Sequence, residues 1–166
     1  ALVAAGNIFV VVATGGRMLK WTTPFVVNSQ PAILTTQLSL FGASGLYIDG
    51  NVAVMAEAGI NQVIMQAGGI STCNLDGSNL KRLLTSSLMS LAYQGIEKDT
   101  MANKYLIASP ADKAVYYIDP ATGARAVVRN VAADGAGTAT DIGWDPAGRM
   151  LAVPDSGAGV VLFYKL

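Results

Sequence analysis

Histidine is absent from the 166 residues, and cysteine occurs once, at Cys73. Without an imidazole, Ser-His-Asp and Cys-His nucleophilic catalysis and histidine-based zinc sites are excluded within this chain. A single cysteine rules out an intrachain disulfide and thiolate metal clusters, and Cys73 reads as a small buried hydrophobe. Charge is sparse: 13% of residues are charged, and 11 basic side chains balance 11 acidic ones. No net field therefore draws the chain to nucleic acid or to an anionic membrane. Long apolar runs are missing as well, although the mean hydropathy of +0.43 is high. The most apolar stretch, "NIFVVVATGG", meets Gly15 and Gly16 at a strand's length, well short of the ~20 residues a membrane helix needs. Membrane insertion is not expected. No P-loop is present, and "DGAGTATD" (Asp134 to Asp141) lacks the third glycine of a dinucleotide-binding turn. Asn-x-Ser/Thr sequons are also absent. The chain opens "ALVAAG", without Met or a basic signal-peptide region, so its native N-terminus is expected to be processed or to lie upstream.

What is present is apolar and repetitive. With 52% hydrophobic residues the chain is far from disordered composition and long enough for one domain, or a piece of a larger one. Four segments begin with Gly or Asn and run into an apolar strand: "GNIFVVVA", "GNVAVMAE", "NKYLIASP" and "GRMLAVPD". Asn7, Asn51, Asn103 and Arg149 mark them at spacings of 44, 52 and 46 residues, the period of four-stranded propeller blades. Each of the last three is preceded by an Asp-containing turn at Asp49, Asp99 or Asp145, where the Asp is expected to accept backbone N–H bonds. A second strand follows in "GRMLKW", "KAVYYID" and "AGVVLFYK". In the second repeat "NQVIMQ" and "GISTCNLDG" compete for that place, and the latter aligns better, with Asp76 opposite Asp119. On that alignment Ala58 to Gly68 form a lengthened loop, a usual place for binding in repeat proteins. "YYIDPATGARAVV" becomes the outer hairpin of the third repeat. The leucines of "SNLKRLLTSSLMSLAYQ" have helical spacing, but their place in the repeat favours two strands, Asn79 to Thr85 and Ser90 to Glu97.

The stretches "NLDGSNLKRLL…GIEKDTMANKYLIASPADKAVYYIDPATG" and "GWDPAGRMLAVPDSGAGVVLF" resemble the six-bladed propeller group of YWTD, NHL and gluconolactonase-like repeats. The resemblance covers Cys73 to Leu166 well and Ala1 to Gly69 more weakly. It implies an all-β fold of four-stranded antiparallel blades around a channel. Four repeats are expected, at approximately 1–37, 38–87, 88–132 and 133–166, in one propeller domain or part of one. Counted from the axis, the chain opens almost directly in the second strand of its first repeat and ends in the third strand of its fourth. An incomplete ring, finished by further sequence or by another copy of the chain, is the simpler account, and a four-bladed ring closed by its own ends is the alternative.

Resemblance to the gluconolactonase-like and strictosidine-synthase-like propellers implies a channel-facing carboxylate near Asp141, with Asp155 as a second candidate ligand for calcium. The matching positions in other repeats, Ser44 or Gly45 and Gln94 or Gly95, are poor ligands. Tyr116 and Tyr117 are neighbours in a strand, so they point to opposite faces and one is free to meet a partner, as are Ile60 and Gln62 in the lengthened loop. The leading expectation is a non-catalytic module without cofactor that binds other protein chains or further copies of itself, in an extracellular or cell-surface assembly. A calcium-dependent hydrolase is the first alternative. The second is a small-ligand or sugar-binding propeller using Trp21 or Trp144.

Overall fold

Strands that read as continuous apolar runs, such as "VAVMAE" and "KYLIAS", need cover on both faces. The computed structural model, which describes residues 2–4, 6–12, 17–24, 26, 28–34, 42–58, 68–85 and 93–166, provides it by packing sheets face to face. The first sheet runs β1 (Leu2–Ala4), β2 (Asn7–Val12), β3 (Arg17–Thr22) and β4 (Ala32–Ile33). The second runs β5 (Ala43–Asp49), β6 (Val52–Glu57), β7 (Gly69–Asn74) and β8 (Lys81–Thr85). The third runs β9 (Gln94–Asp99), β10 (Lys104–Ser109), β11 (Ala114–Ile118) and β12 (Arg125–Asn130). The fourth has three strands, β13 (Gly143–Asp145), β14 (Met150–Asp155) and β15 (Val160–Lys165). Every sheet is an antiparallel meander in chain order. A 3-10 turn over Val131–Asp134, capped by the Asn130 side chain, leads from the third to the fourth.

Adjacent residues of the second strands serve different layers. Ala53 and Met55 join Phe9, Met18 and Cys73 between the first two sheets, whereas Val54 and Ala56 join Tyr105, Ile107 and Ile118 between the second and third. Leu106 and Ala108 join Leu151 and Val153 between the third and fourth. The inner strands β5, β9 and β13 stand side by side along this series, with β2 against β5. No comparable contact joins the first sheet to the fourth among the described residues.

The turns follow their aspartates. Asp99 Oδ1 accepts the amides of Met101 (3.0 Å) and Ala102 (3.1 Å), and Asp145 accepts those of Ala147 (3.0 Å) and Gly148 (3.1 Å). Asp49 instead accepts Lys98 Nζ (2.5 Å) and the Tyr105 hydroxyl (3.0 Å) from the next sheet.

Three further details differ from the sequence reading. The chain begins with a short inner strand, β1, before β2. The strand expected from Ser90 begins, within the described residues, at Gln94, while the strand expected over Asn79 to Thr85 is present as Lys81–Thr85. The third strands also align differently: Thr72 pairs with Val54 as Tyr117 pairs with Leu106, which sets Asn74 rather than Asp76 against Asp119. The turns differ in length, Asn74 N bonding Ser78 O where Asp119 N bonds Ala124 O, so alignment through the turn aspartates displaces the strands by two residues.

Candidate functional site

Asp141 lies exposed in the segment before β13, its Oδ1 accepting the amide of Ile142 at 2.9 Å. It abuts Gly95 of β9, where a Cβ would overlap the Asp141 carboxylate. Burial, and next the charge of Asp141, raise the pKa of Glu97, so two carboxylates share the inner end of the third and fourth sheets. Sequence reading missed Glu97, whose only signal was an acidic residue inside an inner strand. Calcium takes about six to eight oxygen ligands. Among the described residues no three His, Cys, Asp or Glu side chains gather to hold a metal ion.

Asp155 sits elsewhere, buried at the end of β14. Its Oδ1 accepts the amides of Gly157 (2.8 Å) and Ala158 (3.0 Å), and its Oδ2 those of Thr138 (3.0 Å) and Gly137. These bonds, Ala158 and Thr138 foremost, hold its carboxyl below the usual range. Asp155 thus fastens the segment before β13 to the β14–β15 turn.

Tyr116 and Tyr117 do point apart. Tyr116 is buried between the second and third sheets, its hydroxyl donating to Asp112 at 2.9 Å beneath the Arg125 guanidinium. Burial, then Asp112, push its pKa up to about 12. Tyr117 faces the fourth sheet and donates to Asp99 at 2.6 Å. Cys73 is buried and its thiol is pushed up to about 11, chiefly by burial, which keeps it protonated at neutral pH. Ile60 and Gln62 lie outside the described residues, as do 59–67 of the lengthened loop. Trp21 Nε1 donates to Ser29 O at 3.2 Å, and Trp144 lies under the Arg149 guanidinium, 5.5 Å from its ring centre.

The fourth sheet ends in its third strand, as the repeat count expects, and its outer side chains stand apart from those of the other sheets. Val161 pairs with Pro154 as Val115 pairs with Ala108, and Phe163 pairs with Ala152 as Tyr117 pairs with Leu106. Val115 is 0% exposed because the fourth sheet covers it, whereas Val161 is 49% and Phe163 66% exposed. In addition, β4, β8 and β12 each flank a third strand on its outer side, whereas among the described residues β15 is paired with β14 alone. Two large apolar side chains, Val161 and Phe163, thus lie exposed on the outer strand of the described fourth sheet.

No family model and no curated protein matches the sequence. Solved structures do. A chain of the nidogen/laminin complex aligns with a TM-score of 0.75 and 13% identity, over 96% of this chain and 56% of that one. Virginiamycin B lyase from Staphylococcus aureus, solved with quinupristin, aligns with a TM-score of 0.62 and 9% identity, over 100% and 54%. A proposed 6-phosphogluconolactonase from Bacteroides uniformis gives 0.63 and 15%, over 96% and 47%. The chain thus spans about half the length of each. At such identities the likeness is one of fold, and with the four meandering sheets it establishes that this chain folds as blades of a β-propeller.

Proposed function

We propose that this chain is a non-catalytic propeller module that binds other protein chains, further copies of itself included, through the exposed apolar side chains of its fourth blade. The observation that carries this reading is the exposure of Val161 and Phe163, whose third-blade equivalents, Val115 and Tyr117, pack against the next blade. Burying one Phe side chain contributes about 1.5–3 kcal/mol. One of the similar folds is, by its name, part of a complex of two proteins, which is in keeping with such a role.

The pure chain is expected to self-associate as its concentration rises through the micromolar range. Phe163→Asp, at an exposed site, should remove this association without altering the circular dichroism spectrum, as read by sedimentation velocity. Identical monomeric behaviour of both proteins would count against an adhesive face. The Glu97–Asp141 pair supports the competing reading as a calcium-dependent hydrolase. A saturable calcium-binding heat that Asp141→Ala abolishes would favour that reading instead.

A further inference from the structure

We propose that the groove between the second and third blades is a binding site for a neutral hexose-type sugar. It is a half-open cleft of about 560 Å³ lined by Asp49, Thr72, Asn74, Asn79, Lys81 and Tyr105, among others. That volume falls within the range of small-molecule sites, roughly 300–1,000 Å³.

The groove is a departure from the internal repeat. The position of Thr72 is occupied by Lys20 in the first blade, Tyr117 in the third and Phe163 in the fourth, all pairing with the same point of the preceding strand. Between the third and fourth blades, Tyr117 reaches Asp99 with its hydroxyl at 2.6 Å, and Arg149 approaches the same carboxylate at 3.3 Å. Between the second and third blades the short Thr72 side chain leaves the matching volume in front of Asp49 unfilled.

The vacated space also holds an unmet hydrogen-bonding group. Thr72 is 6% exposed, and its hydroxyl has no hydrogen-bond partner among the described residues. A buried hydroxyl left unpaired is unfavourable, and a ligand hydroxyl would satisfy it. Asp49 accepts Lys98 and Tyr105 both on Oδ2, with no described donor to Oδ1. The Asn74 and Asn79 amides add donors and acceptors, and Lys81 adds a donor. An anion would meet the Asp49 carboxylate and a cation the ammonium groups of Lys81 and Lys98. A neutral ligand carrying several hydroxyls, each both donor and acceptor, matches the lining. The site is independent of the exposed apolar side chains on the fourth blade.

The test is a ¹⁵N–¹H NMR titration of the full chain with D-glucose, D-galactose, D-mannose and N-acetylglucosamine, each added separately. At least one is expected to shift the amides of Thr72, Asn74, Asn79 and Lys81 saturably. Thr72→Tyr, which restores the ring found in the third blade, should abolish these shifts while thermal unfolding reports an intact fold. Thr72→Val, close in shape but lacking the hydroxyl, should weaken binding about tenfold and carries the comparison should the tyrosine variant fail to fold. The proposal is overturned if no sugar shifts these amides, which would make the groove a water-filled gap, or if Thr72→Val binds as tightly as the parent, which would show that the sugar does not meet the Thr72 hydroxyl.

Discussion

Replacing Gly123 with Ala is expected to lower the unfolding temperature by about 10 °C, far more than the same change at Gly159. Both glycines have positive φ, +71° and +67°, so both substitutions carry the conformational penalty, about 1 kcal/mol. They differ in surroundings. A Cβ at 159 meets nothing within 4 Å, whereas one at 123 would overlap the carbonyl oxygen of Leu83 in the outer strand of the preceding blade. Gly77 stands in the same relation to the Leu34 carbonyl of the first blade. The glycine of "IDPATGAR" is therefore where the backbones of neighbouring blades touch. The overpacking there adds about 1–3 kcal/mol, for a total of about 2–4 kcal/mol. Calorimetry of the two variants checks this, and equal losses would show that the close approach carries no weight.

Arg82→Met is expected to remove about 3–5 kcal/mol of stability, a large part of what holds a domain of this size together. Glu57 at the end of β6 is fully buried and ion-paired with Arg82 of β8, whose side chain is 24% exposed. The strand between them contributes Gly69, where a Cβ would press on the Leu84 carbonyl and the Arg82 guanidinium, so the arginine can lie across β7. Without the cation, the carboxylate remains in a medium that solvates it poorly. Adding Glu57→Met should recover most of the loss, because an apolar pair of similar volume carries no desolvation penalty. Arg129→Ala breaks a bidentate pair with Asp134 at the surface and a stack on Tyr164, and should cost only a minor part of what Arg82→Met does. Denaturant unfolding separates these cases. An Arg82→Met loss no larger than that of Arg129→Ala would contradict the buried-pair account.

The architecture was legible because the physics that makes it is local. Doubly covered strands such as "KYLIAS" are apolar without alternation, and Asp99 and Asp145 close tight turns through their own side chains. Two features were not legible, for different reasons. The groove at Thr72 depends on strand register, and the unequal hairpins after Asn74 and Ile118 displaced the alignment by two residues, setting Thr72 against Val115 rather than Tyr117. The exposed face depends on what a strand packs against. "VVLFY" reads like "AVYYI", yet among the described residues only the second is covered by a following sheet. Glu97 and Asp141 likewise meet only because β9 and β13 stand side by side, which no spacing in the sequence reveals.

The claim that the fourth blade docks another polypeptide is tested most directly by placing a photoreactive phenylalanine analogue at position 163 and irradiating the chain in extract of its native source. The exposed hairpin position Thr122 serves as the control. The account predicts a covalent adduct with a polypeptide, a second copy included, from position 163 and none from position 122. An absence of adducts at 163, or equal capture at both positions, would contradict it.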